Sequence, residues 1–412
     1  MSMTVSSKRA CAVIAACVPF ALAACGSSGN SSSGASSPTG SKAPVTVEMI
    51  SQITASNFGS PETVPISKAV VAQINGQGGL GGHPIHLITC DDKGNPTTAG
   101  NCARTAAQSH AVAVVEGISL MGATIDPTLQ AAKIPLIVSP TVPDDYDSPI
   151  AYPKDGGTLA LWSGVGVLAA KSGCKQIGEI YDSTNAVGAS GPAMVKAGAA
   201  AAGGGTVVAA VGASESSVNL TPTIQSLLSK HVDCLAMTLT PALQVAALKA
   251  VAQSPNPNIP VIVDAPALPL QIAQQLGSAA KHVLVDTVQY LPGDPRAATF
   301  TALAKKSGAA DSQFAENAYV GFLMLQQALK GHSGGLSAAD VMSALNSSSA
   351  LRVPVVPGTF DFTKPFPAKA YSRLSNLTLA GYSFNGKNFV ALTGDRGALD
   401  TAQAANAFAK GS

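Results

Sequence analysis

Val71-Ala72-Gln73-Ile74-Asn75-Gly76-Gln77-Gly78-Gly79-Leu80-Gly81-Gly82-His83-Pro84-Ile85, followed shortly by Asp91-Asp92, is the stretch on which the fold turns. Apolar residues at Ala69, Val70, Ala72 and Ile74 predict a helix over 66–75 that ends before Gly76. Residues 84–90 then read as a strand. Gly76-Gln77-Gly78-Gly79-Leu80-Gly81 satisfies the dinucleotide pattern G-x-G-x-x-G. That chemistry needs the loop after a strand and at the start of a helix, so that amides and helix dipole face a pyrophosphate. Here a helix precedes it and a strand follows, so it reads as a helix cap and tight turn. His83 and His86, three apart on the predicted strand, point to opposite faces and cannot readily share a metal. Both are expected at an edge or on the surface.

Working outward, the same alternation recurs. A short apolar run over 45–50 precedes a polar loop at 51–60. Residues 97–109 read as a helix, 112–116 as a buried strand, 127–132 as a short helix and 135–138 as a strand. Repeated β-α-β implies a parallel sheet with helices on both faces. After a loop rich in Pro and Asp (140–157) the rhythm restarts. Helices are predicted over 158–172, 191–202, 220–230 and 242–253, and strands over 176–181, 206–211, 234–237 and 259–263. The fold class is therefore α/β, with two doubly wound parallel-sheet lobes and a hinge. Ligands of such sheets bind at strand carboxyl ends, where strand order reverses.

Composition narrows the function. The 412 residues are 46% hydrophobic, 5% aromatic and 12% charged, with 25 Lys+Arg against 23 Asp+Glu. A net charge of +2, with no basic run carrying interleaved aromatics, gives little drive toward nucleic acid. The 40 Gly and 27 Pro follow no collagen-like period. There is no G-x-S-x-G elbow, no Walker loop and no H-E-x-x-H motif, and the six His stand beside no plausible nucleophile. No catalytic residue, metal or cofactor is assigned. A lipid-anchored hydrolase is the least favoured alternative, because a triad can assemble from distant residues.

Residues 1–24 read as a secretory signal: Lys8-Arg9 precedes an uncharged stretch over 10–24 that is too short to span a bilayer and contains Pro19. It ends Leu22-Ala23-Ala24-Cys25-Gly26, which resembles the lipobox of bacterial lipoproteins and marks Cys25 for lipidation. Residues 25–43 form a lipidated, Ser- and Gly-rich tether with a reach of roughly 23 Å. The expected location is extracytoplasmic, anchored to a bacterial cell membrane. Removing Lys8 and Arg9 from the 25 basic residues leaves 23, equal to the acids, so the slight positive charge belongs to the signal.

Beyond Cys11, Cys17 and Cys25, four cysteines remain in an oxidising compartment and allow three connectivities. Cys90–Cys102 is favoured because the intervening Asp-Asp-Lys-Gly-Asn-Pro segment can loop back, and Cys174–Cys234 follows by elimination. Zinc spacing is lacking.

The opening stretch also resembles the type I periplasmic solute-binding proteins of the branched-chain amino acid and amide class. In that family a helix ending in Ile-Asn precedes a Gly-Gly turn, a strand and an acidic pair. Further echoes are Val115-Glu116-Gly117-Ile118-Ser119, Lys133-Ile134-Pro135-Leu136-Ile137-Val138-Ser139-Pro140, Tyr181-Asp182, Asn317-Ala318-Tyr319 and Gly358-Thr359-Phe360-Asp361, all in order along 44–395. The resemblance implies a Venus-flytrap of two lobes joined by three crossings. Lobe one is expected over 44–158 plus 291–365, and lobe two over 159–290 plus 366–412. It further implies a monomer that captures a small solute for an ABC permease. A ligand-sensing subunit of a membrane receptor shares the fold and is the alternative.

The resemblance places hydroxyl and amide contacts to a ligand carboxylate at Ser119 and at Ser139 or Thr141. Phe58 is expected to wall the pocket. In the second lobe Thr240 falls at a ligand position where a ring is often found, and Asp264 lies near the family's ammonium-neutralising acid. The loop after Tyr181-Asp182 reads Ser183-Thr184-Asn185-Ala186 and has no aromatic. Unless Asp264 faces the cleft, an ammonium there would be desolvated unpaired. The ligand expected is neutral or carboxylate-bearing and rather apolar, not a zwitterion.

Overall fold

The computed structural model describes residues 42–55, 59–214, 216–217 and 219–411. The signal, Cys25, most of the tether and Phe58 lie outside the described residues.

The opening stretch folds as its residues dictate. The helix Thr63–Gly76 buries Ile66, Val70 and Ile74 along one face. Asn75 then pins the next strand: its side-chain amide donates to the Ile85 carbonyl at 3.0 Å and accepts from the Ile85 amide at 2.7 Å. Gly79 has φ +76°, and a Cβ there would sit 2.0 Å from the His83 carbonyl oxygen. Only glycine fits that turn. His83 departs from the surface expectation. It is buried, outside the strand, with its ring nitrogens 2.8 Å from the carbonyls of Ala43 and Gly334.

The first sheet comprises β1 (Val45–Ser51), β2 (Ile85–Asp91), β3 (Ala113–Glu116), β4 (Leu136–Val138) and β5 (Ala151–Pro153), all parallel, in the order β2-β1-β3-β4-β5. Alternation along β1 sends Val45, Val47 and Met49 into one core with helices Thr63–Gly76, Ala298–Ser307 and Gln313–Ala328. Ile50 faces the other way, into a core with helices Pro96–Gln108 and Gly122–Ala132. The last helix starts five residues earlier than the pattern suggested. β5 lies within the span read as loop, because three residues carry no period and are held by pairing with β4.

The second sheet contains β6 (Gln176–Asp182), β7 (Thr206–Ala213), β8 (Cys234–Thr238), β9 (Val261–Asp264), β10 (Val283–Thr287), β11 (Thr378–Phe384), β12 (Phe389–Ala391) and β13 (Ala398–Asp400). Its order is β12-β11-β10-β9-β8-β6-β7, with β13 paired to β11. Strands β6 to β10 are parallel and repeat the first sheet's order, while β11 to β13 add an antiparallel edge. Helices Gly157–Lys171 and Gly191–Ala201 cover one face and touch closely: a Cβ on Gly198 would lie 1.9 Å from the Ser163 carbonyl oxygen. Cys90–Cys102 and Cys174–Cys234 are both disulfide-bonded.

Candidate functional site

Both sheets reverse direction at their second strand, so the switch points lie between β1 and β3 and between β6 and β8. The chain leaves β5 at Pro153 for the second sheet's helices, and leaves β10 at Thr287 for helix Ala298–Ser307 against the first sheet. The carboxyl ends of β5 and β10 therefore run into crossing segments, and the strand-end loops of the two sheets frame the candidate ligand crevice. Gln289 bridges there, donating to Asn317 at 2.6 Å, and the Tyr290 amide donates to the Val355 carbonyl at 3.0 Å.

On the first sheet the acidic pair organises this rim. Asp91 accepts from the amides of Ile53 (2.9 Å), Thr54 (3.2 Å) and Lys93 (2.9 Å), and from the Thr54 hydroxyl. Burial pushes its pKa up, but those donated bonds hold it below the usual carboxylate value. Asp92 turns inward and accepts from Ser119 Oγ at 2.5 Å and the Gly94 amide at 2.7 Å. Burial raises its pKa despite those bonds. Ser51 Oγ meets Ser60 Oγ at 3.0 Å and accepts from the Ile118 amide at 3.2 Å. Gly117 fits between Ser51 and Thr63, where a Cβ would approach within 2.7 Å of Ser51 Oγ.

Of the residues singled out in sequence, Ser119 lies at the first switch point, buried, with its hydroxyl held between Asp92 and the Met121 amide. Ser139 and Thr141 follow β4. Ser139 donates to Asp155, while Thr141 donates to the Ser139 carbonyl through its hydroxyl and to Asp145 through its amide. Thr240 sits half-buried at the second switch point, just before helix Pro241–Ala252, and its Oγ1 has no partner. Asp264 ends β9 on the face covered by helix Gly157–Lys171, opposite Asp286 of β10. A Cβ on Gly164 of that helix would meet Asp286 Oδ2 at 2.0 Å, so the helix lies directly on the pair. Burial pushes Asp264 up to about 7, and burial plus the Asp264 charge raises Asp286 well above its ordinary value.

Sequence reasoning passed over a buried network beneath the first rim. Lys154 is fully buried and donates to the Glu116 carbonyl at 2.5 Å. Burial lowers its pKa to about 8 and raises that of Glu116, with Asp126 lifted to about 8 and Asp145 to about 6 for the same reason. The available signal was an acid closing an apolar strand run, as in Ala113-Val114-Val115-Glu116 and Val283-Leu284-Val285-Asp286. Leu120, 39% exposed beside Ser119, was also passed over.

Residues 57–369 match the model of the family described as periplasmic binding protein. The chain belongs to that family. Members bind solutes outside the membrane, and this coarse function is the chain's as well. As a periplasmic binding protein it shares its fold with a solute-binding protein of an ABC transporter from Rhodopseudomonas palustris in complex with 3,4-dihydroxybenzoic acid. That match has 19% identity and a TM-score of 0.69, covering 87% of this chain and 97% of that one. A branched-chain amino acid transporter substrate-binding protein from Streptococcus pneumoniae, in complex with isoleucine, gives 14% identity and a TM-score of 0.69, covering 87% and 99%. An ABC transporter substrate-binding protein from Desulfitobacterium hafniense in complex with Leu gives 16% and 0.67, covering 85% and 100%. No curated protein matches in sequence. Among the described residues no helix is long and apolar enough to cross a membrane.

Proposed function

We propose that this periplasmic binding protein is a lipoprotein, anchored through Cys25, that captures a small neutral or carboxylate-bearing, rather apolar solute and hands it to an ABC importer. The lobes, bounded as expected above, close by rotation about the crossings near 154–157, 288–297 and 363–377. Apolar contact at Leu120 and donors from the strand-end loops hold the solute, and closure brings it to the buried, unpartnered Thr240 Oγ1 at the second switch point. Ser119 and Ser139 keep the loops in place, since their hydroxyls are already engaged.

The observation that carries the choice of solute is the placement of Asp264. It is buried beneath a helix and faces a second carboxyl, so the pair is a poor counter-charge for an ammonium. The loop over 183–186 is exposed and carries no ring. A relative of this fold is complexed with an aromatic acid and others with amino acids, so the fold accommodates both classes. A thermal-shift screen of amino acids, amides, aromatic acids and short acyl compounds tests the reading. A ligand at a hundred times its dissociation constant adds about 2.7 kcal/mol of stability, readily seen. Aromatic or acyl acids should stabilise the protein; micromolar or tighter binding of Leu, Ile or Val by calorimetry would overturn the assignment.

A further inference from the structure

The third crossing carries a feature that the crevice does not use. The Phe366 amide donates to the Ser372 carbonyl at 3.0 Å, closing the chain into a loop around the short turn Lys369–Tyr371. That closure brings Lys364 and Pro365 against Ser372 and Arg373. Together with Phe362 these residues line a cavity of about 150 Å³.

Arg373 is fixed rather than free. Its backbone amide donates to the Tyr146 carbonyl at 3.0 Å, and its Nε donates to the Ala151 carbonyl at 2.8 Å, capping the edge strand β5. Its guanidinium lies 4.6 Å over the Tyr152 ring, which in turn packs edge-on against Phe362 at 5.4 Å. Among the described residues no carboxylate pairs with Arg373, and its buried Nη2 has no acceptor. Burial lowers the Arg373 pKa, with the Tyr152 side chain opposing through its charge interaction and hydrogen bond. Lys364 is the only other cation lining the cavity. It is 81% exposed and stands 3.6 Å from Asp361, so that couple is close to neutral and the guanidinium charge is left uncompensated.

We propose that this cavity is a second ligand site, separate from the crevice, which takes a small oxyanion on Arg373, with Lys364 and the Ser372 hydroxyl as further donors. The guanidinium edge supplies directional donors to oxyanion oxygens. The volume suits a small anion rather than a peptide or a folded partner. An occupant ties the two ends of the closed loop together.

Sulfate tests this, because it offers oxygens to all three donors and has no apolar body to enter the crevice. Calorimetric titration of the full chain at low millimolar sulfate, with ionic strength held constant by chloride, should give saturable one-site binding. Arg373→Gln should abolish it. Lys364→Gln, at an exposed side chain that leaves the fold intact, should weaken it severalfold, as should Ser372→Ala. A crevice ligand from the solute screen should bind the Lys364→Gln variant with unchanged affinity and should not be displaced by sulfate. No saturable heat, unchanged binding in Lys364→Gln and Ser372→Ala, or competition with the crevice ligand would each overturn the second site. None of these outcomes depends on which solute the crevice takes.

Discussion

Glu179→Gln replaces a buried carboxyl with its neutral isostere and isolates one charge. Glu179 is fully buried on β6, accepts a 3.1 Å bond from Thr238 Oγ1 and, among the described residues, has no cationic partner. Burial pushes its pKa from 4.5 to about 8, with the Thr238 bond opposing. The sign follows directly. The folded state holds the proton to higher pH than the unfolded chain, so the group costs nothing below about 4.5 and increasingly more as pH rises through 8. Linkage makes that cost ~1 kcal/mol at pH 5, ~3 at pH 7 and ~5 at pH 9, as ceilings. Gln keeps the size and the Thr238 bond but cannot ionise. Urea unfolding at pH 5, 6, 7 and 8 measures the difference. The single tryptophan of the chain, Trp162, reports it, because it packs against the core on the same face as Glu179. The variant should match wild type within ~1 kcal/mol at pH 5 and exceed it by ~2–3 at pH 7. A gap that stays constant with pH would refute the reasoning, as would one that closes on going from pH 5 to 7.

Three further outcomes follow from other contacts. Replacing Cys174 and Cys234 by Ala opens a 60-residue separation and should cost roughly 4 kcal/mol in the chain-entropy picture, against roughly 3 for Cys90 and Cys102 at a separation of 12, both read by denaturant unfolding. Equal losses would argue against loop closure as the source. Gly117→Ala forces a methyl against Ser51 Oγ and Thr63 Cγ2, so it should cost ~1–3 kcal/mol and weaken the crevice ligand at least severalfold by calorimetry. His83→Ala removes two bonds that tie Ala43 and Gly334, and should cost ~2 kcal/mol. Limited proteolysis of that variant should trim residues before Val45 faster than in wild type.

The helix, turn and strand of the opening stretch were legible because each has a local cause. Period 3.6 apolar spacing makes the helix, Gly79 makes the turn, and Asn75 reaches only ten residues to the strand it holds. The repeated β-α alternation was legible in the same way, and so was the pairing of Cys90 with Cys102 across a short loop. β5 was not, since three residues show no period and exist as a strand only through β4. His83 looked like a surface residue because its partners, Ala43 and Gly334, are 40 and 251 residues away.

The site divides along the same line. Local pattern gave the strands, and the family resemblance put Ser119, Ser139 and Thr240 at ligand positions beyond their ends. What their hydroxyls do depends on neighbouring strands: Asp92 takes Ser119, Asp155 takes Ser139, and Thr240 alone of the three keeps an unpartnered oxygen. Whether Asp264 could meet an ammonium was likewise open in the chain, because sidedness on a strand has no meaning until a helix covers one face. Assembly put Gly157–Lys171 over it and Asp286 beside it. Short-range sterics and periodicity thus set the elements and their order. Charge state, exposure and partners arise from contacts between separate elements, and those are properties of the packed molecule.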